Sequence, residues 1–283
     1  MESEEEFKMK KVAFQGEKGA FSEDAACRFF SETTVPVPCR TFRNVFESVS
    51  RGKCHAGVIP IENSQTGSIH QNVDLLLEFD VKIIGEIVLK IHHCLLANRG
   101  VRPAHVRRIF SHPQALEQCS RYLQRLRRVE TVPMYDTAGS ARFIAEHGVK
   151  DGAAIASMRA GRDYGLAVLA RGIENHEQNH TRFLAVAPRP QFPPHGGKTS
   201  VVFSTKDIPG ALFKSLSVFA LRDINLLKIE SRPLRQGPFR YWFYLDFEGS
   251  MREKAIVNAV RHLSEITTFM KVLGSYPKGK VVE

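Results

Sequence analysis

AGVIPIENSQTGSIHQNVDLLLEF, residues 56–79, joins two kinds of pattern across a polar turn. Its first eight residues, 56–63, form an apolar run that stops in Glu62 and Asn63, and this predicts a strand. SIHQNVDLLLEF, 68–79, predicts a helix. The same handover recurs on both sides. Upstream, KVAFQG (11–16) reads as a strand and FSEDAACRFF (21–30) as a helix whose Ser22, Glu23 and Asp24 suit a helix start. FRNVFESVSRG (42–52) is a second helix, closed by Gly52. Downstream, 81–97 is strand-rich. RRIFSH, a helix from 118 to 126, VETVPM, a helix over 137–147, AAIAS, a helix around 158–164 and LAVLA follow. Strands alternating with helices predict an α/β fold with largely parallel sheets. In such sheets ligands bind beyond the carboxyl ends of the strands.

That rule collects the polar words of the chain. Asn63 and Ser64 end one strand, Ser111 in IFSHPQ another, and Thr137 in MYDTAGS a third, while NHTRF (179–183) leads into the run FLAV. Each alone fits a helix cap or a turn, Thr137 as an ordinary N-cap for example. Together they point to one polar cleft. Asn179-His180-Thr181 is also a glycosylation sequon, which matters only in a secreted chain. The opening MESEEEFKMKK has no apolar core of a signal peptide, and no run approaches the ~20 apolar residues of a membrane span. A cytoplasmic protein without a membrane partner is expected.

The chain has 283 residues, which suggests two domains at ~100–200 residues each. The five cysteines are scattered without a CxxC pair, as expected of reduced thiols. His92, His93 and Cys94 suggest a metal set, but in an alternating strand three neighbours cannot face one way, so no metal is expected. The net charge of +10, concentrated in arginines between 102 and 128, reads first as a solvated face and second as a field that attracts anions.

After APRPQFPPHGGK (187–198), rich in proline and glycine and read as a linker, the style changes. KTSVVFST, PGALFKSLSVFALRD, NLLKIESRP, FRYWFYLDFE, MREKAIVNAVRHLSEI and TFMKVLGSY read as βαββαβ, the ferredoxin-like order. Along 239–248, Phe239, Tyr241, Phe243, Leu245 and Phe247 face one way and Trp242 and Tyr244 the other. Helices cover only one face, so the other needs solvent, a second subunit or a ligand. RNA is a candidate, but the RNP motif of RNA-binding sheets is absent, and no nucleic-acid partner is expected.

With VAFQGEKGAFSEDAA, GVIPIENSQTGSIHQNVDLLL, SHPQALEQC, YDTAGSA, NHTRF, GALF and ESRP in order, the chain resembles the prephenate and arogenate dehydratases from about Val12 to Tyr276. The resemblance implies a two-lobed catalytic domain like type II periplasmic binding proteins over 10–190, with lobes of about 10–90 plus 183–190 and 91–182. It also implies a C-terminal ACT domain over 198–277 that binds L-phenylalanine. Nothing resembling a chorismate mutase precedes Lys11, as in the monofunctional form. The implied reaction converts prephenate to phenylpyruvate, carbon dioxide and water with no cofactor; arogenate is the alternative substrate. Carried over from the family's motifs, Thr181 is the catalytic residue. Arg182, Asn63, Ser64, Ser111, Gln118 and Thr137 are substrate-binding, with Arg182 supplying a guanidinium fork for a carboxylate. Glu62 and Glu117 are candidates for an ammonium group of arogenate. Gly210, Ala211, Leu212 and Phe213, with Glu230, Ser231, Arg232 and Pro233, are the implied effector site. A homodimer or homotetramer is expected, with the aromatic face of 239–248 against the sheet of a second subunit.

Overall fold

The computed structural model describes residues 9–31, 34–126, 128–233 and 241–282. In chain order the first part comprises β1 (Lys10–Gln15), α1 (Phe21–Phe30), β2 (Thr34–Cys39), α2 (Phe42–Ser50), β3 (Ala56–Asn63), β4 (Gly67–Ser68), α3 (His70–Glu78) and β5 (Lys82–Lys90). A second group follows: β6 (Cys94–Ala97), β7 (Arg108–Ser111), α4 (Pro113–Gln118), α5 (Ser120–Gln124), β8 (Glu130–Pro133), α6 (Thr137–Glu146), β9 (Gly152–Ala156), α7 (Met158–Asp163) and β10 (Ala167–Arg171). The chain then returns through β11 (His180–Ala187).

The two groups form two lobes, each around its own sheet. In the first, β2, β1 and β3 run parallel, and β11 lies antiparallel between β3 and β5. In the second, β8, β7 and β9 run parallel while β6 and β10 are antiparallel. The sheets are therefore mixed rather than largely parallel. Each lobe has a parallel core, and strands on the path between lobes pair against it. Helix faces supply the covering. Val45, Phe46 and Val49 of α2 are buried at helical spacing, and the Thr41 hydroxyl caps that helix by accepting from Asn44 N at 3.2 Å.

Several boundaries moved. β2 escaped the sequence reading because TVPVPC carries two prolines, which cannot donate to a ladder; the strand tolerates them as the sheet's edge. The helix expected over 118–126 is two short ones, α4 starting at Pro113 and α5 after Cys119. α1 is capped at Ala20, with Ser22 already inside it, and α6 is capped by Asp136 rather than Thr137. All of β11 pairs with β3 and β5, so Thr181 and Arg182 stand on the first lobe's sheet, not in the second lobe where the expected division put them.

The C-terminal part is βαββαβ: β12 (Lys198–Thr205), α8 (Ala211–Ala220), β13 (Leu226–Pro233), β14 (Tyr241–Glu248), α9 (Lys254–Ile266) and β15 (Thr267–Tyr276), with β16 (Val281–Val282) beyond. The sheet order β13-β14-β12-β15 is the ferredoxin-like one. Phe243, Leu245 and Phe247 pack under α8 and α9. Trp242 and Tyr244 on the other face pack into the first lobe's core with Val73 and Leu76 of α3, and the Tyr244 hydroxyl donates to Val73 O at 2.8 Å. The aromatic face is thus covered by the chain's own first lobe, not by a second subunit; Phe239 lies outside the described residues. Lys271 Nζ donates to three carbonyls at the end of α3, where the helix dipole favours a cation. β15 touches β5 at Gly274 and Ile83, so the module's sheet continues into that of the first lobe. Among the described residues no helix is long and apolar enough to cross a membrane, and no cluster of His, Cys, Asp or Glu could hold a metal.

Candidate active site

A cleft of about 480 Å³ lies between the lobes, at the ends of β1, β2, β3 and β11 and of β7 and β8. The starts of α1, α2, α3 and α6 border it through Phe21, Thr41, Ile69 and Thr137. Strand ends lead into helix starts in this fold, so positive dipole ends converge on one space, although Thr41 and Asp136 cap α2 and α6. That favours an anion.

Thr181 is the second residue of β11 and pairs with Asn63, the last residue of β3. The Asn63 amide is oriented from its oxygen side: Oδ1 accepts Gln65 N at 3.0 Å and Thr66 N at 3.2 Å, a turn formed by its own chain. Those backbone donors leave no choice about which end is oxygen. Nδ2 therefore faces β11 and donates to Thr181 Oγ1 at 2.9 Å and to Asn179 Oδ1 at 2.8 Å. Because the threonine oxygen accepts, its own proton is free. Among the described residues no group takes it, and the residue, 9% exposed, borders the cleft.

Gln118, the last residue of α4, extends this network to the second lobe. Its Oε1 accepts from Asn179 Nδ2 at 3.2 Å and meets His93 Nε2 at 3.0 Å. Burial pushes the His93 imidazole below its ordinary range more strongly than the Gln118 bond raises it. His93 is thus neutral at neutral pH, and Nε2 carries the proton toward Gln118. Asp136 closes the opposite wall. Its carboxylate accepts Ala138 N and Gly139 N from α6 and, across the lobes, Glu17 N at 2.9 Å. Burial raises its pKa, and these N–H donors partly offset that.

The structure therefore brings Asn63, Gln118, Thr137 and Thr181 together. It does not bring Arg182, Ser64 or Ser111. Arg182 follows Thr181 in a strand, so its side chain leaves the opposite face and pairs with Glu62, Glu86 and Asp246. Ser111 is buried and donates to Ile155 O at 2.7 Å, tying β7 to β9. Ser64 donates to Gln178 O and accepts from His180 N, both at 2.9 Å, which fixes the approach to β11. Glu62 is taken by Arg182 and Lys228, and Glu117 borders a smaller recess beside the cleft. The sequence reading missed Arg40, His93, His112 and Asn179. Arg40 is the one guanidinium bordering the cleft among the described residues. Its signal was its place at the end of β2, the strand its prolines concealed.

Comparison with known proteins shows the family. The family model for prephenate dehydratase matches residues 12–191. The chain belongs to that family. It is 49% identical over 278 residues to arogenate dehydratase/prephenate dehydratase 2, chloroplastic, of Arabidopsis thaliana, covering 94% of this chain and 72% of that one. A prephenate dehydratase from Arthrobacter aurescens, solved in complex with L-Phe, superposes with a TM-score of 0.86 at 31% identity, covering 94% of this chain and 90% of that one. A structure named as GqqA, a quorum-quenching acylase, superposes at 0.84 with 34% identity over 95% of this chain and 98% of that one. As a member of the dehydratase family, the chain is a carbon–oxygen lyase.

The residues implied as the family's effector site divide between two faces. Gly210 caps α8 at φ +73°, a left-handed conformation that suits glycine, ahead of Ala211. Leu212 packs in the module's core and Phe213 is 75% exposed. Ser231 and Pro233 lie on the open face of β13. Glu230 and Arg232 do not: alternation turns them to the first lobe, where Glu230 accepts from Ser68 at 2.5 Å and Arg232 donates to Asp74 at 2.7 Å.

Proposed function

We propose that this dehydratase acts on prephenate, giving phenylpyruvate, carbon dioxide and water, with Thr181 as the donor to the departing ring hydroxyl. The observation that carries the reading is the Thr181 oxygen accepting from Asn63 while its own proton remains free at the cleft. In the reaction the ring carboxylate leaves as carbon dioxide and its bonding pair enters the ring. The C–O bond to the hydroxyl breaks, and the leaving oxygen takes a proton delivered through Thr181, which solvent resupplies. A threonine is too weak an acid to ionise, so it works as a hydrogen-bond donor and relay. The bond from Asn63 polarises the hydroxyl further. Arg40 and the helix starts hold the substrate's carboxylates. An acylase would need a base beside its nucleophile; His93 is bonded to Gln118, not to Thr181.

The keto acid is preferred because Asp136, the carboxylate that borders the cleft, is already occupied by three backbone N–H groups. The arogenate reading draws on the name of the 49%-identical relative. Purified protein assayed with each compound decides, by absorbance of phenylpyruvate in alkali and by amino-acid analysis for phenylalanine. A higher kcat/KM on arogenate would reverse the preference, and no product from either would reject the reaction.

Feedback control belongs to the same proposal. L-phenylalanine would bind at the Gly210–Phe213 turn and the open face of Ser231 and Pro233, between subunits of a homo-oligomer. The open backbone at Gly210, with nothing within 4 Å of an added Cβ, supports close approach of a ligand. Calorimetric titration of the full chain tests it; no heat at millimolar phenylalanine would reject it. A cytoplasmic location, argued from the free cysteines, is likewise proposed; the Arabidopsis relative is named chloroplastic.

A further inference from the structure

The strand carrying Thr181 is held from behind by an ionic cluster that the proposed reaction does not use. Arg182 enters the seam between the first lobe and the C-terminal module, its side chain 11% exposed. Its Nη1 donates to Asp246 Oδ2 on β14 at 2.9 Å and to Glu86 Oε2 on β5 at 3.1 Å. Its Nε pairs with Glu62 Oε1 on β3 at 2.9 Å. Each carboxylate is then tied to the module. Asp246 belongs to it and accepts Ser200 Oγ at 2.6 Å, Glu86 takes Lys198 Nζ at 2.9 Å, and Glu62 takes Lys228 Nζ. Glu62, Glu86 and Asp246 thus face Arg182, Lys198 and Lys228, and Glu230 also lies 3.3 Å from Lys228. Such a buried set adds little net stability but holds geometry, because losing one partner strands the rest.

A second observation places the hold where it matters. The β11–β3 register shifts between Arg182 and Phe183. Irregularities of this kind re-aim side chains next to active sites. The Arg182–Glu62 pair sits at that shift, and the next pair along is Thr181–Asn63, whose hydrogen bond orients the hydroxyl.

We infer that Arg182 is a positioning residue: anchored by Asp246 of the C-terminal module, it fixes β11 at the register shift and so fixes the Thr181 hydroxyl. Arg182 thereby acts on the reaction from outside the cleft, and the module takes part in turnover even without an effector. The inference rests on Thr181 as the reacting donor.

Asp246→Asn on the full chain tests it, since it keeps the size and the Ser200 acceptor and removes the charge. Misplacing a reacting group by about 1 Å costs on the order of 10²-fold, so kcat falls roughly ten- to a hundredfold with KM little changed. Hydrogen–deuterium exchange of the peptide covering 179–186 becomes faster. Arg182→Lys, which keeps a charge, loses less kcat than Arg182→Met. Wild-type kcat and exchange in folded Asp246→Asn would overturn the inference, as would a raised KM at unchanged kcat, which would mean that the cluster serves substrate binding. Should Asp246→Asn not fold, Asp246→Glu, which displaces the charge, is measured by the same two readouts against the same outcomes. If the wild type dehydrates neither substrate, the reaction reading fails by itself. The exchange of 179–186 then still decides whether Asp246 fixes the strand.

Discussion

At the scale of single residues, the cleft separates two roles that the sequence placed side by side. Thr181 and Arg182 are neighbours, yet only the hydroxyl meets the cleft, and among the described residues the guanidinium that borders it is Arg40. Thr181→Val keeps the shape and removes the donor. With Thr181 as proton donor, kcat falls about 10²–10⁴-fold, the usual scale of general acid–base help, and KM stays close to wild type. Steady-state kinetics with prephenate check this; wild-type turnover would remove Thr181 from the chemistry. Arg40→Gln has a different signature. One charge-assisted hydrogen bond at an exposed position contributes about 1.5 kcal/mol, so kcat/KM drops roughly tenfold, mainly through KM. Unchanged KM would mean that the helix starts alone hold the carboxylates. The motif words found Thr181 and Asn63 because each lies within a short local pattern. Arg40 escaped them because its position at the cleft depends on β2, an edge strand with an atypical sequence.

At the scale of elements, pairing geometry decides what sequence pattern leaves open. The ferredoxin-like order was legible from 198 onward because each strand and helix there shows its own period. That the module's sheet continues into the first lobe was not, because a single backbone pairing, Gly274 with Ile83, joins the two sheets. Gly274 stands where an added Cβ would lie 2.3 Å from Ile83 O, a backbone atom that cannot step aside. Gly274→Ala therefore forces β15 away from β5. Overpacking of this kind costs about 1–3 kcal/mol, which lowers the melting temperature by several degrees. Thermal unfolding followed by circular dichroism measures it. A melting temperature equal to wild type would show that the two sheets are held by side chains alone.

At the scale of the whole molecule, stability against acid reads out the buried polar groups. Burial lowers the His93 pKa from its ordinary 6.5, with the Gln118 bond opposing. Burial would raise that of Glu62, but Arg182 and Lys228 outweigh it and hold it below 4.5. Both shifts run downward on folding, so the unfolded chain binds more protons in each window. The stabilisation is full above the unfolded values and is lost as pH falls through the folded ones. Urea midpoints are thus expected to decline as pH drops below 6.5 and again below 4.5, and Glu62→Gln flattens the second decline. An identical acid slope in the variant would show that Glu62 gains no charged partner on folding. Of the protein as a whole, the sequence by itself determined most of the elements and their order, though not the proline-bearing β2 or the split between α4 and α5, together with the C-terminal ferredoxin-like module and the polar words at strand ends. These depend on neighbours within one turn or one strand. Tertiary structure alone decided which face each polar side chain meets. Arg182 finds Asp246, 64 positions away, instead of a substrate. Ser111 binds a carbonyl of β9, and Trp242 and Tyr244 cover α3 rather than another subunit. A side chain's task follows from what stands opposite it, and in this fold the opposing atoms belong to distant parts of the chain.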